Sequence, residues 1–391
     1  IHVVAVADLS PDRARASLAR VDWDVPRMSA TSLAQAAKEG STFITDDAPT
    51  VIASEFVDMV IDATGSPAAG IAHALLCCEH RKHIIMVNVE ADVMCGPILG
   101  RMAREKGLVY SMAYGDQPII TVDGVEIPLL GFGTWQLEPD DARRMVAEAL
   151  RIGYRHIDTA WIYKNEKAVG EGIRDSGVPR EDIFLTTKIW VEHFTHDALL
   201  KQAEKSAESL GTTPDLLLLH WPKPTPTFEE TLGALNQAKD RGLTRNIGLS
   251  NFPSAQFREA QDLSKARLIT NQVEYHPYLK LSKLIETAKA LGSSITAWSP
   301  LAQGKVADDP TLVDIGRAHG KTPGQVTLRW LIQQDVIAIP RTSKVSRAEE
   351  SFDIFDFALT DEEMQRMDAL DRGERLGDWL DPAFEWDKTA A

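Results

Sequence analysis

The sequence HIDTAWIY at residues 156–163 has the pattern of a short apolar strand that ends in an acid and is followed by a turn with a tyrosine. The run at 165–174 then favours a helix. We therefore predict that Asp158 lies at the C-terminal end of a strand and that Tyr163 lies in the loop beyond it.

Two further polar residues end predicted strands downstream. Lys188 ends the strand-like run 183–187, and His220 ends the leucine run 216–219. With Asp158 and Tyr163 they place an ammonium, an imidazole, a carboxylate and a phenol at strand ends. These residues could form one proton-handling cluster.

The four groups have complementary chemistry. A phenol has an ordinary pKa of about 10, and a nearby ammonium lowers that pKa. We expect Lys188 to supply the charge, Asp158 to hold Lys188, and His220 to direct a carbonyl oxygen toward Tyr163 as general acid. Taken singly, Asp158 and Lys188 also fit an ordinary buried ion pair, and His220 a core histidine.

Composition bounds the class of protein. The 391 residues predict two domains, and the net charge of −15 argues against nucleic acid or an anionic membrane as partner. No apolar run is long enough for a membrane span. The three cysteines, Cys77, Cys78 and Cys95, lack metal-ligand spacing, so we predict no metal site and a reducing, cytoplasmic location.

Residues 1–118 alternate predicted strands with predicted helices, a pattern typical of a parallel, doubly wound sheet. The strands are expected at 3–7, 57–64, 83–89 and 108–112, and the helices at 11–20, 31–38, 67–80 and 91–106. Asp8 and the turn Thr64-Gly65-Ser66-Pro67 resemble part of a Rossmann domain of homoserine-dehydrogenase-like oxidoreductases.

One departure from that pattern is decisive. A glycine-rich turn G-x-G-x-x-G should lie roughly 20 residues before the acid at Asp8, and this chain has none there. Without that turn a pyrophosphate has no helix N-terminus to bind. We therefore predict a truncated Rossmann-like domain, inactive in nucleotide binding, with Asp8 as a helix-capping residue. The chain is expected to be a fragment at its N-terminus.

Residues 119–391 have a different pattern, close in length to the ~250 residues of a (β/α)8 TIM barrel. A hairpin with Asp123-Gly124 at its turn opens the segment. Amphipathic helical runs separate the eight strand-like runs that follow, which are 130–134, 155–159, 184–190, 216–220, 246–251, 269–274, 295–299 and 336–340. The fold class predicted for the chain is α/β, a TIM barrel preceded by a partial doubly wound domain.

Six motifs across this second segment resemble the aldo-keto reductase family. They are GFGTW at 131–135, HIDTAWIY at 156–163, TTK at 186–188, LHWP at 219–222, GLSNF at 248–252 and NQVEYHP at 271–277. The resemblance implies Tyr163 as the acid, Lys188 and Asp158 as the pair that tunes it, and His220 as the orienting group. It also implies hydride transfer from a nicotinamide to a carbonyl carbon.

The resemblance also implies a cofactor site that favours NADPH over NADH. Implied contacts run from the carboxamide to the adenine end: Ser250, Asn251 and Gln272 at the carboxamide, Trp298 stacked on the nicotinamide, Ser299, Leu301 and Gly304 along the pyrophosphate, Arg341, Thr342 and Arg347 at the 2′-phosphate, and Glu350 and Ser351 beside the adenine. Arg341 stands where lysine is more frequent, and Ser351 where asparagine is usual. Lys164 replaces a glycine that is common after the tyrosine.

The expected substrate walls are aromatic and suit small carbonyl compounds: aldehydes, ketones, dicarbonyls and keto-sugars. They are Trp135, Trp161, Trp190, Trp221 and Phe252. The tail residues Trp379, Phe384 and Trp386 are expected to close over them. Leu380-Asp381-Pro382 and the short loops most resemble the bacterial 2,5-diketo-D-gluconate reductase branch. Members of the family tend to be monomers, which we expect of this barrel.

Two other functions remain open from the sequence. The barrel could be a cofactor-sensing binding protein without turnover, as in channel accessory subunits that this fold also resembles. The chain could instead be a bifunctional fusion in which residues 1–118 act as well. Turnover of a generic aldehyde separates the first alternative from an enzyme, and two bound nucleotides per chain would indicate the second.

Overall fold

The computed structural model describes residues 2–19, 23–112, 118–377 and 386–387. The chain divides into two compact units, Ile1–Asp116 and Gln117–Ala391. In the described ranges, no helix has both the length and the apolar character needed to cross a membrane.

The described part of the first unit alternates short strands with helices, as the sequence predicts. Strands β1 to β5 are Ala5–Ala7, Phe43–Thr45, Met59–Asp62, His83–Met86 and Tyr110–Met112. Helices α1 to α5 are Pro11–Ala19, Leu33–Glu39, Ala48–Ala53, Pro67–Glu79 and Val89–Glu105. The sequence patterns did not predict β2 and α3, because each is only half a dozen residues or fewer and is bounded by polar residues.

The strands of this unit form two parallel sheets rather than one. One sheet pairs β1 with β2, and the other has the order β3-β4-β5. Among the described residues no pairing joins β1 to β3. Strand β3 leaves Met59 39% and Ile61 62% exposed, although its continuous apolar run is typical of a strand covered on both faces. The expected continuous doubly wound sheet is therefore not formed by the described residues.

The second unit contains ten described strands and ten α-helices. Strands β6 to β15 are Ile119–Val122, Val125–Pro128, Phe132–Gly133, His156–Asp158, Phe184–Ile189, Leu216–Leu219, Asn246–Ser250, Leu268–Glu274, Ser294–Trp298 and Ile337–Ala338. Helices α6 to α15 are Pro139–Ile152, Glu166–Ser176, His196–Leu210, Phe228–Asp240, Ser254–Leu263, Ser282–Ala290, Pro310–His319, Pro323–Ile332, Val345–Phe352 and Asp361–Asp368.

Strands β8 to β15 form one sheet of eight parallel strands in sequence order. Its first and last strands are joined by hydrogen bonds from Gly131 N to Ala338 O at 2.8 Å and from Gly133 N to Pro340 O at 2.9 Å, as a closed barrel requires. The hairpin β6-β7 precedes it, and Asp123 and Gly124 at its turn both have positive φ, as a two-residue turn of this kind needs.

Burial explains why these runs form a barrel. Every residue of β10, β11 and β13 is buried, so the strands are covered on both the inner and the helical side. The surrounding helices present one apolar face to the strands, as α6 does with Met145, Val146 and Leu150. Because all eight strands are parallel, their C-terminal ends meet at one rim, where polar side chains converge.

Candidate active site

A buried ion pair lies at the C-terminal ends of β9 and β10. Lys188 Nζ donates to Asp158 Oδ1 at 2.6 Å and to the carbonyl oxygen of Thr159 at 2.8 Å. Lys188 is 0% and Asp158 2% exposed. The register of the sheet, in which Asp158 pairs with Thr186, brings Lys188 next to the acid. Burial lowers the pKa of Lys188, and Asp158 opposes that shift by stabilising the ammonium.

Tyr163 lies on a short 3-10 turn, Trp161–Tyr163, directly after the strand that carries Asp158. Its hydroxyl lies 3.5 Å from Lys188 Nζ. Burial raises the pKa of Tyr163 well above its ordinary value, and the negative charge of Asp158 adds to the rise. The lowering expected from Lys188 does not prevail over burial and the Asp158 charge. Tyr163 is consequently a neutral phenol, the form that can donate a proton.

His220 follows β11 and lies beside the tyrosine. The ring centroids of His220 and Tyr163 are 5.8 Å apart, and those of His220 and Trp190 are 5.1 Å apart. Burial lowers the pKa of His220 well below its ordinary value, and Lys188 contributes in the same direction. His220 is therefore neutral near pH 7. Its Nδ1 is buried and has no hydrogen-bond partner among the described residues.

The residues expected at a nicotinamide form a connected polar network. Gln272 Nε2 donates to Asp158 Oδ2 at 2.7 Å, so this side chain also holds the ion pair. Asn251 has a positive φ and donates through Nδ2 to the carbonyl oxygen of His220. Ser250 Oγ donates to the carbonyl oxygen of Gln272, and Trp298 Nε1 donates to Asn251 Oδ1 at 2.9 Å. The four side chains thus brace the rim beside Asp158 and His220.

The remaining predicted cofactor residues follow β14 and β15. Ser299, Leu301 and Gly304 lie in the irregular segment after β14, where Ser299 and Gly304 have positive φ. Arg341 and Thr342 follow β15. Arg341 donates to the carbonyl oxygens of Trp135 at 2.8 Å and Gln136 at 3.0 Å, which ties β15 to the loop after β8.

Helix α14 carries the other residues predicted for the adenine end. Arg347 donates to Glu350 Oε2 at 2.7 Å, and Glu350 Oε1 accepts from Thr322 Oγ1. Ser351 lies one residue further along the same helix. Arg341, Lys344 and Arg347 make this segment locally cationic, although the chain as a whole is acidic.

The predicted substrate walls divide into two groups. Trp135, Trp161, Trp190 and Trp221 are half-buried. Phe252 differs, because it is 1% exposed and its ring packs in the core against Phe228. Of the tail aromatics, Trp379 and Phe384 lie outside the described residues. Trp386 lies beside Trp221, with ring centroids 6.0 Å apart.

Two carboxylates that the sequence reasoning missed fix the tail to this rim. Glu274, the last residue of β13, accepts hydrogen bonds from the backbone of Leu376 and Gly377. Asp387 accepts from Ser254 N at 2.8 Å and pairs with Lys283 Nζ at 3.1 Å. Glu274 falls in the motif NQVEYHP, and its place at a strand end was the available signal.

The rim therefore combines a neutral phenol, a buried ammonium–carboxylate pair and a neutral imidazole. Such a set can donate a proton to a carbonyl oxygen and hold that oxygen in place. The donor set also fits a nicotinamide dinucleotide. It offers a half-buried indole at Trp298, polar side chains around it and the cationic segment 341–347. His220 Nδ1, which has no hydrogen-bond partner among the described residues, is a buried polar atom that a bound group could contact.

Comparison with known proteins points to one family. The model of the aldo/keto reductase family matches residues 129–372. Glyoxal reductase of Bacillus subtilis is 42% identical over 257 residues, which cover 65% of this chain and 93% of the relative. A solved structure with the provisional description 2,5-diketo-D-gluconic acid reductase B is 47% identical, with a TM-score of 0.68, over 70% of this chain and 98% of that chain. The structure of a Bombyx mori aldo-keto reductase in complex with NADP is 32% identical, with a TM-score of 0.63, over 68% of this chain and 97% of that chain.

Proposed function

The chain belongs to the aldo/keto reductase family, and from that premise we propose that it reduces aldehydes and ketones to alcohols with NADPH, with Tyr163 as the proton donor. The observation that carries the proposal is the joint placement of Asp158, Lys188 and Tyr163 at the adjacent C-terminal ends of β9 and β10, with His220 beside Tyr163. Family membership makes the protein an oxidoreductase that uses a nicotinamide cofactor. The choice of NADPH and the roles of the residues are our inference.

The residues of the rim divide the chemistry among them. When bound, the cofactor supplies a hydride to the carbonyl carbon. Tyr163, kept neutral by burial, donates its proton to the carbonyl oxygen. His220, also neutral, offers an imidazole hydrogen bond that orients this oxygen. Lys188 stabilises the phenolate left on Tyr163, and Asp158 keeps the buried lysine charged.

Two arginines near the end of β15 support a preference for NADPH over NADH. Arg341 and Arg347 follow β15 in the cationic segment 341–347. A guanidinium binds a phosphate through paired, charge-assisted hydrogen bonds. Arg341 already has its Nε and one terminal nitrogen on backbone carbonyl oxygens, which hold the group in a fixed direction. We assign these two arginines to the 2′-phosphate and Trp298 to the nicotinamide.

Small dicarbonyls and keto-sugars are the substrates that this site suits best. Trp161 lies on the same turn as Tyr163, and Trp190 packs against His220, which lies beside Tyr163. Both tryptophans are half-buried and offer apolar walls rather than charged groups. Such walls select by size and shape more than by hydrogen bonding. The similarity to a glyoxal reductase at 42% identity agrees with small dicarbonyls as substrates.

The test follows NADPH absorbance with methylglyoxal and with 2,5-diketo-D-gluconate. We expect turnover by the wild-type chain, and a loss of about 10² to 10⁴ in kcat for Tyr163→Phe, the range of a general acid. NADPH should still bind the variant, because the hydroxyl is the only group removed. Tight NADPH binding without turnover by the wild type would instead favour a cofactor-sensing protein.

We also propose that residues 1–118 are a Rossmann-like domain that lacks the glycine-rich turn, followed by the barrel at 119–391. In a doubly wound sheet of strand order 3-2-1-4-5-6, strands 3 and 2 lie on one side of strand 1, and strands 4, 5 and 6 lie on the other. The sheets β2-β1 and β3-β4-β5 resemble these two groups of strands, which supports the proposal. Asp8 accepts from Ser10 N at 2.7 Å and from the side chain of Arg13, so it braces the turn that leads into α1 rather than capping the first helical N–H groups. Titration calorimetry should show that one NADPH binds per chain. Two bound NADPH per chain would instead indicate a bifunctional protein.

The cysteines support a reducing compartment. Cys77, Cys78 and Cys95 are free thiols, and burial raises the pKa of Cys77 to about 12, which makes it unreactive. We therefore propose a cytoplasmic enzyme. From its family resemblance we also propose that the barrel is a monomer. Light scattering at two protein concentrations tests the association state.

A further inference from the structure

Glu274 is a buried carboxylate that the proposed reaction does not use. It ends β13, is 0% exposed, and is bound on both oxygens. Oε1 accepts from Leu376 N at 2.6 Å and from His276 Nε2 at 3.1 Å, and Oε2 accepts from Gly377 N at 3.1 Å. Burying a carboxylate is costly unless it is hydrogen-bonded, so these backbone donors fix residues 376 and 377 to the strand end.

Gly377 lies directly on the indole that we assign to the nicotinamide. A Cβ at this position would overlap Trp298 Cη2 and lie 3.3 Å from Cζ2. Trp298 is also the register partner of Glu274 in the sheet, and its Nε1 donates to Asn251. The indole is therefore held at its nitrogen by Asn251 and at its six-membered ring by Gly377.

We propose that Glu274 is a positioning residue for cofactor binding, acting through the backbone of residues 376–377 on Trp298. This inference rests on the proposed function, because it takes Trp298 as the surface on which the nicotinamide stacks. Glu274 itself touches neither the cofactor nor the substrate. Its carboxylate holds two backbone N–H groups, these hold Gly377, and Gly377 limits the tilt of the indole.

The chain offers a matched control in Asp371. Asp371 Oδ1 accepts from the backbone N–H groups of Lys280 and Gly373, each at 3.0 Å. It thus anchors the same part of the chain by the same kind of bond, without contacting Trp298 among the described contacts. Loss of this carboxylate should loosen the tail locally but leave the indole in place.

The experiment compares the full-length chain with Glu274→Gln, Gly377→Ala, the double variant and Asp371→Asn. Glutamine keeps the volume of glutamate, but its NH₂ group faces donors rather than accepting from them. We expect NADPH affinity, measured by quenching of tryptophan fluorescence, to fall about tenfold in Glu274→Gln and to change less than twofold in Asp371→Asn. Because Gly377→Ala breaks the same contact, the double variant should be no weaker than the weaker single variant.

A second readout does not depend on the cofactor. Trypsin cleavage after Arg375, followed by mass spectrometry, should be faster in Glu274→Gln than in wild type, because the next two residues lose their anchor. Equal NADPH affinities in Glu274→Gln and Asp371→Asn, or additive losses in the double variant, would overturn the proposal. If the wild type binds no NADPH, the proposed function fails, and unchanged cleavage after Arg375 would then separately exclude the anchor.

Discussion

Lys188 Nζ lies 2.6 Å from Asp158 Oδ1, and neither side chain is more than 3% exposed. In a buried site of low dielectric, the two charges largely compensate each other. Lys188 therefore acts on Tyr163 as one half of a dipole rather than as an isolated cation. This explains why burial, and not the ammonium, sets the direction in which the pKa of Tyr163 moves.

Replacing one member of this ion pair should lower the free energy of unfolding more than replacing both members. Asp158→Asn leaves Lys188 buried without a counter-charge, and we expect it to lower the free energy of unfolding by about 3–5 kcal/mol. The double variant Asp158→Asn with Lys188→Met should recover part of that loss, because no charge remains buried. Urea unfolding measures both. A double variant less stable than Asp158→Asn alone would show that Lys188 stabilises the fold independently of its charge.

The titration of Tyr163 can be observed directly. Its pKa in the folded chain lies well above 10, while an unfolded tyrosine ionises near 10. The stability that this neutral phenol contributes is therefore present below pH 10 and is lost as the pH rises above it. We expect wild type and Tyr163→Phe to give the same tyrosinate absorbance up to pH 10. Extra absorbance from the wild type between pH 7 and 9 would show that Lys188 dominates after all.

Lys164 occupies a conformation that favours glycine. It ends the turn after Tyr163 with φ 57°, in the left-handed region. A non-glycine side chain in this conformation costs about 1–2 kcal/mol. Glycine avoids that cost, but it loses roughly 0.5–1 kcal/mol more conformational entropy on folding. Lys164→Gly should thus raise the free energy of unfolding by up to about 1 kcal/mol. The control is Lys167→Gly, exposed on helix α7, which should lose about 1 kcal/mol. A lower free energy of unfolding in both variants would show that Lys164 is not strained.

Arg341 should decide between the two nicotinamide cofactors. Replacing it with alanine removes a guanidinium from the cationic segment 341–347, and we expect NADPH affinity to fall about 10- to 100-fold while NADH affinity stays nearly constant. Arg366→Ala, an exposed arginine paired with Asp314 on the barrel surface, is the control. Equal losses for both cofactors would mean that Arg341 acts by holding the carbonyl oxygens of Trp135 and Gln136, not by binding phosphate.

The sequence predicted the positions of those site residues that lie at or just after the end of a strand. Asp158, Lys188 and His220 each follow a buried run, so the parallel topology alone brings them to one rim. Tyr163 followed from the same logic, since a short turn leaves it beside the strand it follows. The helices of the barrel were likewise predictable from their apolar periodicity.

The remainder depends on contacts between residues far apart in the chain. The Glu274 anchor joins positions 274 and 377, and no local pattern encodes that pairing. Phe252 was expected to face a substrate, but whether an aromatic at a strand end turns inward depends on a neighbour such as Phe228 on another element. The direction of the Tyr163 pKa shift required the depth of burial, which composition does not give.

Strand β3 of the first unit has a practical consequence for the enzyme. In the described part of the chain its backbone pairs on one side only, and its own residue Ile61 is 62% exposed. An exposed strand edge favours aggregation by pairing with the same edge of a second chain. Since two chains must meet, the initial rate of aggregation should be second order in protein. Halving the protein concentration should therefore lower that rate to about a quarter. Active-site substitutions should leave that rate unchanged, whereas Ile61→Lys should lower it. Shelf life of the protein would then be set by a strand that lies outside the proposed active site.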